Sequence, residues 1–226
     1  MKVVSVYGDS LLKGVSLVGN RYVVCAEKTA AFARARGIAV LNRSCFGATV
    51  EKGLRRLDRD IADRAPLGDW TVLEFGGNDC DFDWSQVAAD PQGEHSCKVP
   101  PERFSALMRT AVEKVRAAGG KPLLTTLPPI DPERYLDWVC RTGLSRENIM
   151  QWLGDMNAIY RWQELYANLI RSLSETMGVP LVDLRDAFLM RRRMDGLLCD
   201  DGIHPTARGH ELILSAFDDF LCAVTV

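Results

Sequence analysis

Ser10, Asp201 and His204 are residues of the types that together can activate a hydroxyl for attack on a carbonyl carbon. Ser10 stands in VYGDSLLKG, straight after an apolar run, and the other two stand near the far end of the chain in DDGIHP. A serine hydroxyl is a weak nucleophile until a neighbouring imidazole takes its proton, and the imidazole needs a carboxylate to fix its tautomer and stabilise its charged form. The spacing from Asp201 to His204 lets a turn bring the carboxylate to one ring nitrogen while the other faces Ser10. Pro205 is expected to hold His204 extended and to open the last helix. The tetrahedral intermediate of such a reaction calls for donors around its oxyanion; the backbone N–H groups of Ser10 and Gly47 and the side-chain amide of Asn78 supply three.

Residues so far apart become neighbours if each follows a strand of one sheet. Strand-like runs recur at 3–7, 38–42, 70–75, 122–127 and 179–184. Between them the apolar period turns helical, as at Val50, Leu54, Leu57 and Ile61, at Phe104 to Ala118, and at Ile159 to Met177. Gly37, Gly119 with Gly120, and Gly178 stop these periodic segments just before the next strand. Strands that alternate with helices and read as continuous apolar runs predict a five-stranded parallel sheet in a three-layer α/β/α sandwich. Functional groups in such sheets gather beyond the carboxyl ends of the strands. Ser10 follows the first run, Gly47 in RSCFGAT the second, Asn78 in GGND the third, and Asp201 with His204 the fifth, past a short helix. Residues 80–100 and 128–156 interrupt the rhythm and are expected to decorate one edge of a single domain spanning 1–226.

Taken together, the blocks VYGDSLLKG, CFGAT, FGGNDCD and DGIHPTARGHELI resemble those of the SGNH hydrolases, the GDSL esterase and lipase family, and they occur in the family's order over nearly the whole chain. The resemblance implies a flavodoxin-like sheet, a triad of Ser10, Asp201 and His204, and an oxyanion hole from Ser10, Gly47 and Asn78. It also favours Asp201 over Asp200, which lies one position too far from His204. Asp9 is expected to brace the serine turn through local hydrogen bonds rather than to move protons. His210 is expected to pack or cap on the last helix, and His95 to lie on the surface of the first insert.

Apolar residues make up 47% of the 226 and charged ones 26%, a balance that supports a sizeable core and excludes a disordered or collagen-like chain. A net charge of -2 leaves no electrostatic footprint for nucleic acid, and Arg191 to Arg193 read as a solvated helix end. Seven cysteines without a CxxC pair suggest neither a disulfide framework nor a metal site. With no signal-like or membrane-spanning run, the expected location is cytoplasmic, with no membrane partner. The expected activity is that of a serine esterase acting on a small-molecule ester with a short acyl group, through an acyl-Ser10 intermediate and without a cofactor. A thioesterase or a carbohydrate deacetylase would use the same triad. A non-catalytic flavodoxin-like binding module is the rival from another class, and it would be expected to lack a triad member. Trp84 and Trp138, in the two inserts, offer flat walls for an acyl or sugar group, or simply pack the inserts down.

Overall fold

Side chains along each buried strand point alternately to opposite faces, so a sheet covered on both sides needs apolar residues at nearly every position. The computed structural model describes residues 2–224. Strand β1 (Lys2–Tyr7) leads into a one-turn helix α1 (Ser10–Lys13), a hairpin of β2 (Val15–Val18) and β3 (Arg21–Val24), helix α2 (Ala26–Ala35) and strand β4 (Ile38–Asn42). Then follow α3 (Val50–Ala62), β5 (Trp70–Leu73), α4 (Trp84–Ala89), α5 (Pro101–Ala117) and β6 (Pro122–Thr125). The chain ends through α6 (Pro132–Cys140), α7 (Arg146–Leu153), α8 (Asn157–Met177), β7 (Leu181–Val182), α9 (Leu184–Leu189) and α10 (Ala207–Ala223).

Five strands form one parallel sheet in the order β4-β1-β5-β6-β7, the flavodoxin-like arrangement. Tyr7, Leu73 and Leu124 point to one face, where α3, α5 and α8 cover them with Leu57, Phe104, Met108, Tyr166 and Ile170. Val6, Val72, Leu123 and Val182 point to the other, beneath Leu184 and Phe188 of α9 and Leu212 and Ile213 of α10. The order reverses direction at β1, so the crevice beyond the ends of β1 and β5 is the natural place for a site.

Three elements differ from the sequence expectation. The last strand shrinks to Leu181–Val182 because Asp183 leaves the ladder to cap α9, accepting the Asp186 N–H at 3.0 Å. The hairpin escapes a search for buried runs because β3 is exposed along its whole length, although Gly19-Asn20 between two β-rich runs is a hairpin signal. The inserts carry helices that the sequence reading does not assign: α4, α6 and α7 build a third apolar cluster of Trp84, Val87, Leu136 and Ile149, with Ile159 from α8. Among the described residues no helix is long and apolar enough to cross a membrane.

Gly53 shows how tightly one face is packed, since a Cβ there would stand 2.1 Å from Cζ of Phe75. In an exposed helix interior, alanine is favoured over glycine by about 1 kcal/mol. In α3 the overpacking cost of about 1–3 kcal/mol reverses that sign. Gly53→Ala should therefore lower the thermal midpoint, and adding Phe75→Leu should recover part of the loss. A midpoint raised by Gly53→Ala alone would contradict this packing.

Candidate active site

β1 ends at Tyr7 and the chain turns sharply through Gly8 and Asp9. Gly8 carries no side chain for a steric reason: its Cβ would lie 2.6 Å from Oε2 of Glu74. Asp9 caps the turn, its Oδ1 accepting the Leu11 N–H at 2.8 Å and its carbonyl accepting that of Lys13 at 3.1 Å. Ser10 thereby starts α1 half-buried, with its hydroxyl in a cavity. On the opposite side the segment 199–205 closes on itself, with the Cys199 N–H donating to the His204 carbonyl at 2.8 Å. Gly202, at φ 73°, lies so close to the start of α6 that a Cβ would meet the Asp131 carbonyl at 2.5 Å.

This closure brings the three distant residues together. His204 Nε2 lies 2.9 Å from Ser10 Oγ, and His204 Nδ1 lies 2.7 Å from Asp201 Oδ2. The other carboxylate oxygen accepts the N–H groups of Ile203 and His204 at 3.2 and 3.1 Å. Burial pulls the Asp201 carboxyl upward, but the hydrogen bond and charge of His204 and the two N–H donors outweigh it and hold the group below the ordinary carboxylate range. Asp200 is exposed. Pro205 does not open the last helix; it bridges Leu198, and Thr206 supplies the cap by accepting the Gly209 N–H at 3.2 Å. The proline is thus spent on the edge of the loop, one residue ahead of the cap.

Gly47, at φ 66°, and Asn78 line the same cavity as Ser10 and His204. The Asn78 amide donates to Asp9 Oδ2 at 2.8 Å, which leaves its second N–H for the cavity. Asp79, fully buried, ties the two loops together: Oδ1 accepts the Val50 N–H at 2.8 Å and Oδ2 that of Gly76 at 2.9 Å. Burial pushes its carboxyl up to about 7, against the pull of those two donors and with a further push from Asp9.

The cavity is about 810 Å³, and eight aromatic residues, Tyr22, Phe46, Phe82, Trp84, Tyr135, Trp138, Trp152 and Trp162, are among those that line it. Tyr22 from the hairpin and Phe46 beside Gly47 flank His204, with ring centroids at 4.8 and 5.9 Å. Burial, then the charge of Asp201, push the Tyr22 hydroxyl up to about 12, so the ring stays neutral. Trp138 stands edge-on to Tyr22 at 6.0 Å with the Arg141 guanidinium stacked on its indole. Trp84 is different. It also lines the cavity but is only 8% exposed, seated in the insert core with Nε1 donating to Asp81 and Tyr135 at 2.9 and 3.0 Å. His95 is half-buried rather than on the surface, edge-on to Trp152 at 5.5 Å, and His210 packs on the last helix with Nε2 3.1 Å from the Val15 carbonyl. The sequence reading passes over Tyr22, Phe46 and Glu74, although Phe46 adjoins Gly47 and Glu74 interrupts a strand-like run with a charge.

A model of the GDSL-like Lipase/Acylhydrolase family matches residues 6–212. The structure is similar to that of a lipase/acylhydrolase from Enterococcus faecalis, with a TM-score of 0.68 and 20% identity over 96% of this chain and 93% of that one. It is also similar to an acetylxylan esterase from Geobacillus stearothermophilus, with a TM-score of 0.65 and 20% identity over 96% and 92% of the two chains. In sequence the chain is similar to the lipoprotein YqeF of Bacillus subtilis (strain 168), 24% identical in an alignment of 192 positions that covers 80% of this chain and 72% of that protein.

Asp79 gives stability a pH dependence of definite sign. Its folded value of about 7 lies above the ordinary 3.8, so the folded protein holds a proton that the unfolded chain releases. The corresponding stability is complete below the lower value and is lost as pH rises through the upper one. Urea unfolding across that window should show stability falling with pH, and in Asp79→Asn the slope should be shallower by up to about 1.4 kcal/mol per pH unit. Equal slopes in the two proteins would mean that Asp79 folds ionised.

Proposed function

Since the chain belongs to the GDSL-like Lipase/Acylhydrolase family and is a hydrolase of ester bonds, we propose that it works through an acyl-enzyme at Ser10, with His204 as base and Asp201 as its partner. The observation that carries this reading is the unbroken line of hydrogen bonds from Asp201 through His204 to Ser10, ending in an open cavity. In the first step Nε2 of His204 takes the hydroxyl proton as Oγ attacks the ester carbonyl carbon. The charge that develops on the carbonyl oxygen meets the N–H groups of Ser10 and Gly47 and the free N–H of Asn78. The imidazolium, stabilised by Asp201, then protonates the departing alcohol oxygen and leaves the acyl group on Ser10. Water, deprotonated by the same imidazole, attacks the acyl carbon, and the proton returns to Oγ as the acid leaves. A non-catalytic binding module would have no use for a serine held 2.9 Å from an imidazole that is itself fixed by a buried carboxylate.

We assign the substrate as an ester of a short acyl group. The inserts cover the rim, and Tyr22 and Phe46 stand directly beside His204, so the space next to Ser10 is walled by rings. The remaining cavity, about 810 Å³ in all, suits a ring-bearing alcohol moiety.

Ser10→Ala should cost roughly three orders of magnitude or more in turnover of p-nitrophenyl acetate, with thermal unfolding nearly unchanged. Asp201→Asn should cost a loss of similar size, whereas Asp200→Asn should leave the rate within about twofold. Near-wild-type turnover in Ser10→Ala would sink the assignment.

Selectivity is read from kcat/KM across p-nitrophenyl acetate, butyrate, octanoate and palmitate, which should fall with chain length. Trp138→Ala should change that ranking while keeping the fold. Trp84→Ala should instead lower stability, by about 3–5 kcal/mol for a buried indole. Preference for octanoate or palmitate in the wild type would overturn the short-acyl reading.

A further inference from the structure

Beneath the serine turn lies a carboxyl group that the mechanism above leaves unused. Glu74 is the residue after β5 and is fully buried. Its Oε2 accepts the Asp9 N–H at 3.0 Å, while its buried Oε1 makes no hydrogen bond and has only the Leu12 N–H in its neighbourhood to offset its burial. An ionised carboxylate with one oxygen so placed is costly, and the structure supplies an obvious remedy in the carboxyl of Asp9 alongside it. Asp9 is the better seat for the charge, because its two oxygens accept the Leu11 N–H and the Asn78 amide, both at 2.8 Å.

We propose that Glu74 is a neutral carboxylic acid that donates to Asp9, and that it is thereby the positioning residue that keeps the Asp9 carboxylate charged and aimed at Asn78. The inference rests on the esterase reading above only for the use made of Asn78. Burial raises both carboxyls, Glu74 far more, and the interaction between the two side chains raises Glu74 while lowering Asp9. Asp79 and His204 are the other titratable groups facing the pair through Asp9, the first adding negative charge and the second favouring an ionised Asp9. With the proton on Glu74, Asp9 is an acceptor only, so one Asn78 N–H is held and the other points to the cavity. With the proton on Asp9, its O–H would no longer be a fixed acceptor and the amide would lose its anchor. Gly8 completes the arrangement, since any side chain there would displace Glu74.

The test compares Glu74→Leu, which can neither donate nor accept, with Glu74→Gln, whose amide can do both. Glu74→Leu should lower kcat for p-nitrophenyl acetate by roughly tenfold or more, with KM little changed. It should also shift the side-chain amide resonances of Asn78, identified by their absence in Asn78→Ala. Glu74→Gln should recover both readouts relative to the leucine variant. The proposal is overturned if Gln is as impaired as Leu while both unfold like the wild type, or if Leu moves neither kcat nor the Asn78 resonances. Should Glu74→Leu fail to fold, infrared spectroscopy decides. At a pH above the Asp79 transition, the wild type should show a carboxylic acid carbonyl band that Glu74→Gln lacks, and absence of the band from the wild type overturns the proposal. If the protein hydrolyses no ester at all, the esterase reading falls, while the resonances and the infrared band still decide the state of Glu74.

Discussion

Backbone N–H groups that leave a parallel sheet at its carboxyl end have no next strand to donate to, and in a dry interior each must find an acceptor. This chain meets that demand with carboxylates. Asp9 takes the Leu11 N–H, Glu74 that of Asp9, Asp79 those of Val50 and Gly76, and Asp201 those of Ile203 and His204. Farther from the site the same device recurs, with Asp131 accepting from Arg134 and Asp183 from Asp186. The loops that carry Ser10, Gly47, Asn78 and His204 are therefore fixed by acceptors that are themselves buried or partly buried.

The same carboxylates divide into two electrostatic classes. Asp201, with an imidazole and two N–H donors around it, is held charged despite burial. Glu74 and Asp79 are driven toward neutrality by burial, and each lies within reach of the Asp9 charge. One side of the rim thus favours an ionised carboxylate next to the imidazole, while the other concentrates its charge on Asp9 beside the Asn78 amide. The difference follows from depth and donors together: none of the three exposes surface, but Glu74 and Asp79 lie deeper than Asp201, and Asp201 alone adds an imidazole to its two N–H donors.

Much of this was legible in the chain. The apolar runs gave four of the five strands to within a few residues, because strands buried on both faces leave little ambiguity in register or direction. The order of Ser10, Gly47, Asn78 and His204 after successive strands placed all four at one cavity, as the geometry has them. What stayed hidden depends on tertiary contact. Tyr22 belongs to the exposed strand of the hairpin, and nothing in RYVV indicates that its ring reaches His204. The helices of the inserts acquire their apolar face only by meeting each other, Trp84 against Leu136 and Ile149. Glu74 looks in sequence like a flaw in a strand; its meaning appears only with the space left by Gly8.

The contact between Ser10 and His204 joins residues 194 positions apart. A chain made from its amino terminus has all the strands of its sheet once Val182 has emerged, and its last cavity-lining tryptophan, Trp162, earlier still. At that stage the residues of the serine turn and the cavity's aromatic residues have been made, but the imidazole that faces the hydroxyl has not. The imidazole arrives with the last 25 or so residues, on a loop that the hairpin holds through the Ser16 hydroxyl donating to the Pro205 carbonyl and that leads into α10, where His210 meets the Val15 carbonyl. A molecule clipped ahead of residue 199 would lose the imidazole together with α10, whose Leu212 and Ile213 cover Val6, Val72 and Leu123, so the same stretch of chain that brings His204 to the serine also closes one face of the sheet.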